Sequence, residues 1–256
     1  MTAISRALSR ATEQLGKVSD TPRLDAELLM AAALGIGRDR LILDAPKGEV
    51  PASFSGFVER RKSGEPVAYI TGHRAFWTID LEVGPGVLIP RPDSETLIAA
   101  AVEHFAGTQG PRRILDLGTG PGTLLLAALG YARSNADRLG MRSRATLRVG
   151  NWARGLGEQF DLILCNPPYV ASDAEVGPGV AEFEPAEALF AGSDGLDDYR
   201  RLAPQIGGLL APGGLAVIEI GFDQAESAAR LFEAQGLDPV LARDLGDRPR
   251  ALIIRG

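Results

Sequence analysis

Cysteine is nearly absent from this chain of 256 residues, and Cys165 alone can form neither an internal disulfide nor a cysteine-built zinc site. Histidine is as scarce. His73 and His104 lie far apart with no metal-ligand spacing, so no metal is expected. No apolar run approaches the length that spans a bilayer. The N-terminal stretch MTAISRALSRATEQLG lacks an apolar signal region and reads as an amphipathic helix. A soluble cytoplasmic protein is expected. Positive charge is not in surplus either: 27 Lys and Arg face 33 Asp and Glu, for a net charge of −6. That balance makes broad binding to a phosphate backbone a poor expectation. Repeats and low-complexity tracts are missing too.

What is present is a hydrophobic fraction of 45%, enough for a real core. Residues 1–63 read as a small helical domain. Ile4, Ala7, Leu8, Ala11 and Leu15 fall at helical spacing, Thr21-Pro22 starts a second helix, and shorter helices are expected near 39–43 and 51–61. The texture changes at Gly64. Val67, Tyr69, Ile70, Phe76, Trp77, Ile79, Leu81 and Val83 sit among Gly and Thr, which predicts a β-hairpin linker over 64–84. From 85 to 256 strand and helix alternate, the pattern of an α/β sheet covered on both faces. Strands are expected at 113–117, 147–149, 160–165 and 215–220, with a closing antiparallel pair at 237–241 and 251–254. Helices are expected from Leu97 to Phe105, capped by Asp93, from Leu196 to Leu210, where Pro204 should kink the helix or lie near its start, and from Gln224 to Ala234.

Two turns carry chemistry. The first is Asp116-Leu117-Gly118-Thr119-Gly120-Pro121-Gly122, between a strand and a helix. Glycines let a backbone turn sharply and approach a ligand. The spacing is not that of a dinucleotide loop. Asp116 at the strand end suits a cation such as a sulfonium carrying an α-amino group, where a diphosphate would be repelled; it could equally cap the following helix. The second turn is Asn166-Pro167-Pro168-Tyr169, delivered by the apolar strand Phe160–Cys165. Two prolines stiffen the backbone and remove two donors. What remains is a set of acceptors, the Asn166 side-chain oxygen and the Pro167 carbonyl, suited to an –NH₂ group. Such acceptors hold a poorly nucleophilic amide nitrogen and stabilise the positive charge that grows on it during attack. Tyr169 can stack on the flat group that carries the nitrogen.

In this order the two turns look like those of class I methyltransferases acting on amino or amide nitrogen. Gly64-Glu65-Pro66-Val67-Ala68-Tyr69-Ile70-Thr71-Gly72 and Leu88-Ile89-Pro90-Arg91-Pro92-Asp93-Ser94-Glu95, with the helical N-terminal part, resemble the HemK/PrmC family of peptide chain release factor glutamine methyltransferases. The resemblance implies a class I (Rossmann-like) α/β methyltransferase domain behind a release-factor-binding helical domain. It implies methyl transfer from S-adenosylmethionine to the glutamine of the Gly-Gly-Gln loop of class 1 release factors. By matching motif, Asp116 and Gly118 to Gly122 border the cofactor. Asn166 holds the glutamine amide, and Pro167, Pro168 and Tyr169 shape its slot. Trp152, in Gly150-Asn151-Trp152, covers the adenine or serves as a plain core residue. Arg91 and Glu95 line the substrate entrance or fix the turn between domains.

The chain departs from the family pattern at one place. Only 28 residues separate Leu117 from Thr146. Two crossovers and an intervening strand take about 40. Two helices fit there, over 124–129 and 131–140, but the strand expected between them is missing, and with it the acid that would hold the ribose. Asp173, Glu175, Glu182, Glu184 and Glu187 read as a solvated loop or as a face for a basic partner, and Glu219 to Gln224 as a pocket-closing loop or a plain connection. Two rival readings stay open: methylation of a nucleic-acid base amino group, and a relic that grips release factor without using the cofactor.

Overall fold

The computed structural model describes residues 2–44, 47–118 and 125–256, the side chains of 125–130 excepted. The chain divides into two units. The first comprises Met1–Arg74, Asp80–Pro85 and Val176–Glu184, and the second Ala75–Ile79, Gly86–Glu175 and Pro185–Gly256.

The first unit is helical: α1 (Ala3–Leu15), α2 (Pro22–Leu34), α3 (Arg38–Asp44), α4 (Ala52–Lys62) and α5 (Val67–Thr71). The Thr2 hydroxyl caps α1 by accepting from the Ser5 amide. Ile4, Leu8, Ala11 and Leu15 then fall on one buried face, as their spacing requires. Pro22 opens α2 and Gly35, in the left-handed conformation, closes it. Glu27 is buried between the guanidinium groups of Arg23 and Arg38. Burial raises its pKa, but hydrogen bonds from Arg23 and Arg38 outweigh that and hold the carboxyl below its ordinary value. The expected hairpin over 64–84 is corrected in part. Val67–Thr71 is one helical turn, bracketed by Pro66 at its N-cap and left-handed Gly72 at its C-cap, and the hairpin is β1 (His73–Phe76) with β2 (Ile79–Glu82). A further correction concerns the acidic stretch: Glu184 is buried, and a Cβ added at Gly179 would meet the Gly64 carbonyl at 2.7 Å.

The second unit is a five-stranded sheet of order β3-β4-β5-β7-β6, built from β3 (Ile114–Leu117), β4 (Phe160–Cys165), β5 (Leu210–Glu219), β6 (Val240–Arg243) and β7 (Pro249–Arg255). The first three are parallel; β7 runs antiparallel to β5 and to β6. Among the described residues four α-helices belong to this unit: α6 (Glu95–His104), α7 (Leu125–Arg138), α8 (Asp197–Leu209) and α9 (Ala225–Glu233). Alternation along β5 divides the core. Ala216 and Ile218 pack with Tyr199, Leu202, Ile206 and Phe232 of α8 and α9. Leu215 and Val217 pack with Leu97 and Ala101 of α6. Both faces of the central strands are thus covered, which is why they read as continuous apolar runs.

Several expectations are corrected here. Residues 131–140 do not start a second helix, because α7 runs through Gly130 to Arg138. No described strand forms at 147–149, where Val149 is 61% exposed. Three residues with Arg148 in the middle gain little from extending without a partner strand. Asp93 does not cap α6; it pairs with Arg250 at 3.0 Å. Of the two places open to Pro204, the structure gives the interior of α8, not its start. Among the described residues no helix is long and apolar enough to cross a membrane.

Candidate active site

Strand register builds the site. Leu117 of β3 pairs with Cys165 of β4, so Gly118 and Asn166, the next residue of each, leave the sheet side by side at the carboxyl ends of parallel strands. Ligands of α/β sheets bind at such ends. The two chains touch: a Cβ added at Gly118, where φ is +116°, would lie 2.9 Å from the Asn166 carbonyl oxygen and 3.7 Å from the Trp152 ring. Only glycine permits that approach. Trp152 has a positive φ of 51° and packs against the main core. Asp116 stands beside Leu164 in the same register. Its side chain still reaches solvent, yet protein crowds it on the remaining sides, and this loss of hydration pushes its carboxyl up to about 6. Gly118 and Trp152 are therefore brought together, and Asp116 stands two residues before Gly118 on the same strand. Thr119, Gly120, Pro121 and Gly122 lie outside the described residues.

The Asn-Pro-Pro-Tyr turn is held by four residues. The Tyr169 and Val170 amides donate to the Leu189 carbonyl at 3.2 and 2.8 Å. Gln224 Nε2 donates to the Tyr169 carbonyl at 2.8 Å. The Tyr169 hydroxyl donates to Glu219 Oε1 at 3.2 Å. Asn166 Nδ2 donates to Ser94 Oγ at 3.2 Å. Among the described residues neither Asn166 Oδ1 nor the Pro167 carbonyl accepts a hydrogen bond. Asn166, Tyr169, Arg91, Leu88 and Leu189 line a slot of about 50 Å³. Pro167 and Pro168 are buried behind it. Glu95 is not at this slot; its carboxylate accepts from the Trp77 amide at 2.8 Å. A larger cleft, about 570 Å³, lies along Asn151, Arg154, Leu156, Arg201 and Gln205, and includes no described residue of either turn.

Behind the slot sits a buried polar group that the sequence did not assemble. Glu219 is fully buried at the end of β5. Burial raises its pKa, the Ser94 hydroxyl, the Arg250 charge and the Tyr169 hydroxyl pull it down, and Asp93 pushes it up; the net shift is upward. Arg250 is buried as well and pairs with Asp93 at 3.0 Å and Asp244 at 3.6 Å. Arg250 carried no signal in the sequence and Ser94 only its place in the 88–95 motif, whereas Glu219 and Gln224 lay in a segment read as a pocket-closing loop or a plain connection. Cys165 is buried, which drives its thiol pKa well up, consistent with an inert core residue.

Comparison with known proteins agrees with this geometry. Residues 6–72 match the model of the PrmC N-terminal domain. The release factor glutamine methyltransferase of Rhodospirillum rubrum is 40% identical over 278 positions, covering 98% of this chain and 85% of that protein. Its counterpart from Pseudomonas aeruginosa is also 40% identical, over 91% of this chain and 92% of that protein. The first alignment has more positions than this chain has residues, so the relative carries residues with no counterpart here. The catalytic domain of hMettl16, solved in complex with MAT2A 3′UTR hairpin 6, superposes with a TM-score of 0.50 at 17% identity, over 68% of this chain and 75% of that one. That likeness speaks to fold, and the second unit is a class I methyltransferase domain whose sheet lacks a strand beyond β3 among the described residues. Identity of this depth along nearly the whole length, on a sheet that sets Asn166 against Gly118, places the chain in the release factor glutamine methyltransferase family.

Proposed function

We propose that the chain transfers a methyl group from S-adenosylmethionine to the side-chain amide nitrogen of the glutamine in the Gly-Gly-Gln motif of class 1 release factors. The observation that carries this reading is Asn166, which lines the slot and stands against Gly118, with neither its Oδ1 nor the adjoining Pro167 carbonyl accepting a hydrogen bond among the described residues. A glutamine –NH₂ offers two hydrogens to such a pair. Holding both orients the nitrogen's electron pair and stabilises the positive charge that develops on it. Fixing the two reactants in line supplies much of the remaining rate. The residues present fit the cofactor: Gly118 gives the close backbone approach, Asp116 a carboxylate for the cation, and Trp152 an aromatic face. S-adenosylmethionine, when bound, supplies a methyl carbon made electrophilic by its sulfonium sulfur. Tyr169, tied by its hydroxyl and its carbonyl, forms a fixed wall of the amide slot.

Incubating purified protein with a class 1 release factor and S-adenosylmethionine should add one methyl to the Gly-Gly-Gln glutamine, read by mass spectrometry. An unmodified glutamine would overturn the reading. The net charge of −6 counts against a nucleic-acid substrate. That no strand lies beyond β3 among the described residues favours a second reading, a binding protein with lost cofactor affinity. Calorimetry separates the two: release factor bound without S-adenosylmethionine binding selects the second.

A further inference from the structure

A two-residue turn, Trp77-Thr78, joins β1 to β2. Turns of this length that follow the strand twist place a positive φ at their first central residue, which is why Gly, Asn or Asp usually stands there. This chain puts a tryptophan in that place, at a φ of 53°. An L side chain in the left-handed region crowds its Cβ against a backbone carbonyl oxygen, and a bulky one is rare there. Burial does not offset the strain, because Trp77 is 47% exposed. A lone exposed aromatic calls for no explanation. One held in a strained conformation with half its surface in water does, since a glycine would suit the turn better on both counts.

The turn is also fastened in place. The Trp77 amide donates to Glu95 Oε1 at 2.8 Å. Glu95 opens α6, and the residue before it, Ser94, accepts from Asn166 Nδ2 at 3.2 Å. Two consecutive residues at one helix start thus hold the aromatic turn and the side chain that lines the amide slot. The indole shares the mount of Asn166 without lining the slot itself.

What such a surface would meet follows from the glutamine-methylation reading, on which this inference rests. Two glycines precede the target glutamine. They offer no side chain to grip, so recognition of that loop falls to its peptide planes and to the chain beyond them. An indole supplies a flat apolar face for a peptide plane and an N–H donor for a carbonyl. It brings a large contact area with few rotatable bonds, the property that makes tryptophan a frequent anchor of protein interfaces.

We propose that Trp77 is a docking residue for the protein substrate: its exposed indole packs on the release-factor backbone next to the glutamine and sets affinity, not the chemistry at nitrogen. The strained turn serves to project the ring outward.

The test compares wild type with Trp77→Gly, Trp77→Asn and Trp77→Phe, all full-length, measuring kcat, KM for release factor and KM for S-adenosylmethionine. Thermal unfolding supplies the fold check. KM for release factor should rise about tenfold or more in Trp77→Gly and Trp77→Asn, with kcat and KM for S-adenosylmethionine within roughly twofold of wild type. Trp77→Phe keeps an aromatic face, and its KM for release factor should stay within about threefold. An unchanged KM for release factor in folded Trp77→Gly, a fall in kcat without a change in KM, or a phenylalanine variant as weak as the glycine one overturns the docking role while leaving the functional reading intact. If Trp77→Gly does not fold, Trp77→Asn decides, since asparagine also tolerates the left-handed region. A wild-type protein that leaves the release-factor glutamine unmethylated overturns both.

Discussion

Among the described residues Asn166 is tied to the rest of the unit by one side-chain hydrogen bond, to Ser94. Replacing it with alanine should cost about 1 kcal/mol of stability or less, while kcat falls at least a hundredfold, roughly the loss that accompanies removal of one preorganised polar contact at a reacting centre. Circular dichroism and a methyl-transfer assay on the same preparation check the contrast. Asp116 gives a pH signature. Its pKa rises from 3.8 in the unfolded chain to about 6 in the fold because the protein crowding its half-open side strips hydration from the charged form. The protonated form therefore favours folding below the lower value, and that contribution fades as pH climbs through the upper one. Affinity for a cationic cofactor should run the other way, tightening up to about pH 6 and levelling above. Titration calorimetry across that range should show the dependence, and Asp116→Asn should flatten it. At this scale the turn residues were legible because strand, glycine and Asn-Pro-Pro-Tyr are contiguous and their spacing carries meaning. Ser94 and Glu219 were not joined to them. They lie 72 residues from Asn166 and 50 from Tyr169 along the chain, and nothing local in a serine or a strand-ending glutamate announces a partner so distant.

Among the elements, α8 holds a clear internal conflict. Pro204 sits in its interior and is exposed, so it breaks a backbone hydrogen bond without filling any core space. An interior proline costs about 3 kcal/mol, of which part is returned through the stiffer unfolded chain. Pro204→Ala should raise stability by about 1–2 kcal/mol, measured by urea titration, with kcat unaltered. The central strands β3, β4 and β5 were legible as apolar runs bounded by turns. The misread elements each have a local cause. Val67–Thr71 carries strand-like residues, but Pro66 and Gly72 set the two ends of a helical turn, and the pair outweighs propensity over so short a span. Gly130 looked like a break and is carried inside α7, where one glycine costs about 1 kcal/mol and leaves the helix continuous. Leu147 and Val149 alternate like a strand, yet alternation forms one only where a neighbour supplies the other half of the ladder.

At the scale of the molecule, the division into a helical part and an α/β part was visible in the change of texture near Gly64. The return of Val176–Glu184 to the first unit was not, since its acidic composition concealed the buried Glu184. The division also provides probes. Both tryptophans, Trp77 and Trp152, belong to the second unit. Tryptophan fluorescence should therefore follow that unit alone, while far-ultraviolet dichroism also weighs the helices of the first. S-adenosylmethionine at a hundredfold excess over its Kd should stabilise the fluorescence transition by about 2.7 kcal/mol; an unmoved transition would mean that the second unit does not bind it. The position of β7 has a consequence for how the protein is made. This strand comes last of the seven in sequence but stands between β5 and β6 in the sheet. On a ribosome adding roughly 5–20 residues per second, Arg250 emerges after Glu219 by a few seconds, and β6 must wait beside an open seam until β7 slides in. A chain cut short before residue 249 would keep that seam open, with bare flanks on β5 and β6 that invite clumping and proteolysis.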